Sequence, residues 1–370
     1  MKHLLLVFLF VIMSAFKVSA DRLVINKDDT LSSEKKSKVR VTPLPVISYA
    51  PETRLGLGAL GIFNFCFGKD SSTRTSYIQS SFVFTINKQI DCDNEMVAFS
   101  NKEKFLIKAH VRYMYMPEYY YGVGNNLPSN NQQLINYTRF FAEARVLKQI
   151  RKNIFTGLYL RSNDIINPSP VGQGIWQRQP YLGQNGYHIS GVGVNFVADS
   201  RDLVYNASKG FFTEFYALLY GKYTGSNYSM AEVSLDVRKY FNVWKAKRHV
   251  LGFQLWTIGT AGDVPYKDLT EFGGGMMMRG YYRGRYRDKN LASFQMEYRM
   301  PVWKFIGLCA WGGAGRVASR LSDFSFAGIK PDYGMGLRFQ ISKKDKINVR
   351  LDYGVGSKTT GIYLDILEAF

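Results

Sequence analysis

The chain has 370 residues and a formal net charge of +19, with 48 Lys and Arg against 29 Asp and Glu. It is rich in Tyr (25), Phe (26) and Gly (34) but holds only 3 Cys, Cys66, Cys92 and Cys309, too few and too widely spaced for a disulfide framework or a metal site. So basic a chain could serve nucleic acid, but a secretion signal at its start argues against that partner.

That signal occupies residues 1–20. Lys2 and His3 precede an apolar core from Leu4 to Met13, and Val18-Ser19-Ala20 supplies small residues for cleavage before Asp21. A membrane-spanning helix would need about 20 apolar residues, and Lys17 interrupts the run too early. Losing Lys2 and Lys17 with the signal leaves +17, which suits anionic lipid headgroups, a cation-lined lumen, or a general basic bias with no specific partner. Residues 21–42 mix both charges and read as a flexible periplasmic lead-in, too short to bury a core of its own.

From residue 43 onward the chain alternates apolar and polar side chains. Leu55, Leu57, Ala59, Phe63, Phe65 and Phe67 share one face of 54–67. In 103–115, Phe105, Ile107, Ala109, Val111, Tyr113 and Tyr115 oppose Lys104, Lys108, His110 and Arg112. In 229–241, Ala231, Val233, Leu235 and Val237 oppose Glu232, Ser234, Asp236 and Arg238. In 291–302, Phe294, Met296 and Tyr298 oppose Ser293, Gln295, Glu297 and Arg299. In 347–356, Ile347, Val349, Leu351 and Tyr353 oppose Asn348, Arg350, Asp352 and Gly354. Strands of about ten residues with this period suit a tilted membrane strand, oily outside and wet inside.

The whole chain gives about sixteen such strands, near 43–50, 53–67, 74–88, 95–101, 103–116, 137–150, 153–163, 187–199, 210–223, 227–241, 248–262, 290–302, 303–317, 331–342, 345–357 and 359–370. The long gaps 117–136, 164–186, 263–289 and 318–330 then all fall on the outer side, as they should in an outer-membrane barrel. A soluble β-sandwich also alternates, but the aromatic outer face and the strand count weigh against it. The expected fold is all-β: one transmembrane antiparallel barrel over residues 43–370.

The segment that invites a role is Gly273-Gly274-Gly275-Met276-Met277-Met278-Arg279-Gly280-Tyr281, in the longest outer gap. A guanidinium inside a barrel needs carboxylate partners, and Glu297 and Asp352 point inward by the alternation. They would lock Arg279 and pin the loop within the lumen; otherwise Arg279 is one solvated arginine among Arg283, Arg285 and Arg287. The terminal Phe370 falls on the outer face with Ile362, Leu364 and Ile366, where it would serve as a recognition signal for insertion machinery.

Gly274 to Pro301, with Arg279-Gly280-Tyr281 and then Phe294-Gln295-Met296-Glu297-Tyr298-Arg299-Met300-Pro301, resembles the BamA/TamA outer-membrane assembly-factor superfamily of bacterial surface antigen barrels. Tyr49-Ala50-Pro51-Glu52-Thr53 is similar to that family's barrel start, and Val349-Arg350-Leu351-Asp352-Tyr353-Gly354 to its last strands. Asp199-Ser200-Arg201-Asp202 with Lys209-Gly210 resembles its mid-barrel turn.

The resemblance implies an integral protein of a Gram-negative outer membrane, with a weak seam between first and last strands and a role in outer-membrane protein assembly or translocation. Implied partners are outer-membrane lipids including lipopolysaccharide, client outer-membrane or secreted proteins, and a periplasmic recognition protein. No nucleic acid, cofactor or small-molecule substrate is expected. Two departures stand out: the lead-in leaves no room for POTRA repeats, and Gly312-Gly313-Ala314-Gly315 replaces an Asp that family members carry there, leaving Glu297 and Asp352 alone with Arg279.

A passive or structural pore is the rival reading. Catalysis is not expected: His188 and Ser190 sit two apart on one face, a spacing that strands produce often. Gly273-Gly274-Gly275 does not open a helix, so it is no phosphate cradle.

Overall fold

A computed structural model describes residues 39–50, 54–68, 73–128, 130–204, 206–244, 248–342 and 346–370. The signal at 1–20 and the lead-in up to residue 38 lie outside the described residues.

The strands are β1 (Arg40–Ala50), β2 (Arg54–Phe65), β3 (Ser76–Thr85), β4 (Ile90–Phe99), β5 (Phe105–Tyr120), β6 (Gln133–Arg151), β7 (Ile154–Pro170), β8 (Tyr187–Asp199) and β9 (Gly210–Tyr220). They continue as β10 (Met230–Trp244), β11 (His249–Gly262), β12 (Thr270–Phe272), β13 (Tyr286–Asp288), β14 (Asn290–Trp303), β15 (Ile306–Ala318), β16 (Lys330–Ser342), β17 (Ile347–Gly356) and β18 (Thr359–Ile366). Sixteen form one antiparallel sheet in chain order, with β11 beside β14, while β12 and β13 make a small hairpin inside the intervening loop. β1 starts at Arg40, three residues before the expected barrel start, and Tyr49 and Ala50 close β1 rather than open the barrel.

The alternation sorts residues as its period requires. On β14, Phe294 and Met296 are exposed to the lipid side, while Ser293, Gln295 and Glu297 are buried within. Ile347 departs from its expected outer face: a register shift at Gln340/Ser342 begins β17 irregularly, and Ile347 is buried against Leu60 and Ile62. Leu44 and Val46 of β1 and Ile366 and Leu367 at the other end of the sheet pack on this same cluster, which brings the first and last strands together.

The interior is not uniformly wet. Lys108–Glu214, Arg145–Glu143 and Arg161–Glu232 form a paired belt at mid-height. Toward the short turns lies an apolar cluster built on Phe99, Leu106, Leu147, Phe155 and Phe212. Toward the outer mouth lies a second, with Tyr120, Trp176, Tyr187 and Tyr266 meeting edge to face. These charges are matched by carboxylates, so the mid-height lumen is not a cation-lined channel.

Phe294→Arg, on the lipid face of β14, is expected to destabilise the folded barrel by about 2–4 kcal/mol if it sits near the bilayer midplane. Urea-dependent unfolding from lipid vesicles measures this, and an unchanged midpoint would show that the face does not meet hydrocarbon.

Candidate functional site

The loop 263–289 supplies the site. Its β12–β13 hairpin returns the chain on itself, and Gly274 N–H donates to the Tyr281 carbonyl at 2.9 Å, so residues 275–280 form a tight tip. That tip lies against the inner wall of β14 to β18. A Cβ on Gly280 would stand 2.3 Å from the Gly356 nitrogen, and one on Gly354 would stand 2.5 Å from the Arg279 carbonyl carbon. Backbone meets backbone here because neither side has a side chain.

The structure brings Arg279, Glu297 and Asp352 together, all fully buried. Arg279 Nη1 donates to Asp352 Oδ2 at 2.8 Å, and Nη2 donates to Glu297 Oε2. Its guanidinium carbon sits 3.7 Å from the centre of the Trp311 ring. A buried guanidinium costs several kcal/mol of lost hydration, which two charge-assisted hydrogen bonds and an aromatic face offset.

Glu297 and Asp352 do not serve alone. Asp332 at the start of β16 accepts the Arg279 and Gly280 backbone N–H groups at 3.1 and 2.6 Å, and the Trp311 indole N–H at 3.1 Å. A carboxylate on the neighbouring strand thus holds the tip from a place the sequence did not single out, because its partners are main-chain groups. Tyr281 Oη donates to the Pro331 carbonyl and accepts the Ser357 N–H, both at 2.8 Å, and Tyr363 Oη donates to the Tyr281 carbonyl at 2.9 Å.

The cluster extends through three more arginines. Arg350 Nη1 and Arg338 Nη1 donate to Asp352 at 2.8 and 2.5 Å, and Arg299 Nε donates to Glu297 at 2.6 Å. Arg338 Nε then donates to Glu368 at 2.7 Å. Leu367 takes a positive φ of 72° and the chain turns inward after β18. Phe370 is therefore buried beside Tyr240, with its carbonyl accepting Arg299 Nη2 at 2.7 Å. The expectation that Phe370 lies on the lipid face is corrected: strand periodicity ends at Ile366.

A second set of ion pairs holds the root of the loop to the opposite wall. Arg287 Nη2 donates to Glu118 Oε1 at 2.8 Å, Lys267 bridges Glu118 and Glu271, and Asp268 accepts from Tyr187 Oη at 2.5 Å. Of the arginines expected as solvated neighbours, Arg287 and Arg285 are buried, and exposed Arg283 pairs with Glu271.

The mid-barrel turn is a separate structure on the short-turn side. Asp199 accepts from Arg201 Nε at 2.9 Å and forms an ion pair with Arg74 Nη1 at 3.2 Å. Asp202 receives the Ser208 hydroxyl at 2.5 Å and the Ser208 N–H at 2.8 Å. Burial opposes the Asp202 charge, but these bonds outweigh it and keep the carboxyl below its ordinary range. Gly210 has φ 103°, and a Cβ there would strike the Ser200 oxygen at 2.3 Å.

His188 and Ser190 do not engage each other: His188 Nδ1 pairs with Asp164 at 2.6 Å, and the Ser190 hydroxyl donates to the Thr224 carbonyl. The three cysteines are free; Cys92 lies within β4, while Cys66 falls one residue beyond β2.

A sixteen-stranded barrel with an arginine-tipped loop folded within it defines an integral outer-membrane protein of a Gram-negative bacterium. Residues 99–361 match the Omp85 superfamily domain, and the chain belongs to that superfamily, whose barrels serve outer-membrane protein assembly or translocation. The fold is similar to that of BamA from Haemophilus ducreyi lacking POTRA domains 1–3, at 12% identity and TM-score 0.54, over 90% of this chain and 70% of that one. It is also similar to CdiB from Escherichia coli, at 8% identity and TM-score 0.51, over 88% of this chain and 61% of that one. No match is found among curated proteins.

Gly354→Ala is expected to expel the tip, because the added methyl meets Arg279 backbone rather than a movable side chain. Limited proteolysis should then cut within 263–289 where the parent resists; equal resistance would show that the tip does not press on β17.

Proposed function

We propose that this chain is an outer-membrane assembly or translocation barrel whose outer loop is locked inside the lumen by Arg279, with Glu297 and Asp352 as its charge partners. The observation that carries this reading is the fully buried Arg279 between those two carboxylates, on a backbone tip that Asp332 also holds. The lock keeps the last strands in register with the loop, and the Asp199–Gly210 turn fixes the wall at the other end.

The ends of the sheet are where a client strand would add. β1 carries Pro43 and Pro45, which have no N–H to donate, and proline is confined to edge positions in sheets. β18 has 8 residues against 10 in β17. Such edges seal poorly and leave backbone groups that seek partners. Client outer-membrane or secreted proteins, a periplasmic recognition protein, and the surrounding lipids including lipopolysaccharide are the partners this role requires. A passive pore suits the interior less well, since the loop, its ion pairs and the Tyr266 aromatic cluster occupy the outer mouth.

Arg279→Ala should destabilise the barrel by about 3 kcal/mol, at the low end for breaking a buried pair, because Glu297 and Asp352 keep other arginines. Arg279→Lys should not restore the loss, since an ammonium cannot span both carboxylates with a planar fork. Heat-modifiable gel migration reads the stability, and migration unchanged in both variants would count against the lock. For the role itself, depletion should lower other barrel proteins or a secreted cargo, and that partner should co-purify. Normal levels together with steady conductance in planar bilayers would favour the passive pore.

A further inference from the structure

A cavity of about 530 Å³ opens at the short-turn end of the barrel, the end that faces the periplasm. Among the described residues, its walls carry Arg248, Arg299, Lys304, Arg338 and Lys346 against one carboxylate, Glu368. That carboxylate is already engaged by Arg338 Nε and Asn348 Nδ2, each at 2.7 Å, so the cavity is strongly electropositive.

Beneath its wall, two buried nitrogens lack an acceptor among the described residues. Arg299 Nη1 and Arg338 Nη2 make no hydrogen bond to a described residue, although both side chains are more than nine-tenths buried. Arg338 Nη2 stands 3.9 Å from Glu297 Oε1, beyond hydrogen-bond reach. Buried guanidinium N–H groups without acceptors are costly, and their charge adds to the positive field that the cavity presents to an anion.

The surroundings specify which anion. Trp303 and Phe305 flank Lys304 in the β14–β15 turn, exposed, with rings 5.7 Å apart. On the adjacent outer wall Trp244, His249 and Tyr298 meet in succession as tilted rings at 5.0 and 5.8 Å. Aromatic rings at this level form the girdle that marks the lipid–water boundary of outer-membrane barrels. The basic cavity therefore sits at headgroup height beside the inner leaflet, with Trp303 shared between cavity and girdle.

We propose that this cavity binds the phosphate of an anionic glycerophospholipid from the inner leaflet. Arg248, Lys304 and Lys346 meet the phosphate at the rim, Arg299 and Arg338 add positive field from beneath it, and Trp303 and Phe305 flank the glycerol and upper acyl chain. The two arginines beneath also serve Glu297 and Asp352, so the field at the headgroup and the loop cluster share side chains.

The test uses the full chain in zwitterionic detergent, titrated with phosphatidylglycerol, phosphatidylcholine or inorganic phosphate, with bound lipid counted by native mass spectrometry. Phosphatidylglycerol should bind about tenfold more tightly than phosphatidylcholine, and Arg248→Gln/Lys304→Gln/Lys346→Gln should abolish that preference while leaving heat-modifiable migration intact. A control losing rim charge elsewhere, Arg151→Gln/Lys152→Gln, should retain it. Equal retention of the two lipids, an unchanged preference in the triple variant, or equal loss in the control would overturn the site. Displacement of phosphatidylglycerol by inorganic phosphate at matched concentration would show a free-phosphate site and overturn the lipid assignment.

Discussion

A guanidinium removed from water is the constraint around which the barrel wall is arranged. Arg279 reaches the interior on a loop, and its charge is tolerable there only because β14 and β17 present carboxylates at the same height. Those carboxylates would in turn be costly without Arg299, Arg338 and Arg350, which bring Glu368 and Asp365 with them. The result is a network of alternating sign from the tip of an outer loop to the residues following the last strand. Its members lie on β14, β16, β17 and β18, so ion pairs join four of the last five strands of the sheet to the loop.

Packing reinforces the charges. The tip approaches β17 at backbone distance because glycines face each other, and that closeness lets Asp332 take two consecutive main-chain N–H groups. At the other side the loop root is tied to β5 through Glu118. One segment thus bridges opposite walls, which a loop held only by hydrophobic contact would do less specifically.

Much of the fold was legible in the sequence because period-two alternation reports which face each side chain takes, and the long gaps sort to one side. Strand ends were less legible: β5 and β7 run on to Tyr120 and Pro170 and β6 begins already at Gln133, well past the span a bilayer requires, since their outer ends carry the mouth's aromatic cluster. The meeting of Arg279, Glu297 and Asp352 was legible because an inward charge needs a partner. Asp332 was not, because alternation gives a face but neither depth nor the main-chain groups nearby. Phe370 was misplaced for a related reason: the positive φ at Leu367 ends the period, and nothing in the order of apolar residues announces it.

A double-mutant cycle of Arg279→Ala with Asp352→Asn, followed by urea unfolding from vesicles, probes the buried pair most directly. If the loop is held by this contact, the two losses will couple by about 1 kcal/mol or more. Losses that add to within about 0.5 kcal/mol would mean that Arg279 and Asp352 act independently and that something else keeps the loop inside.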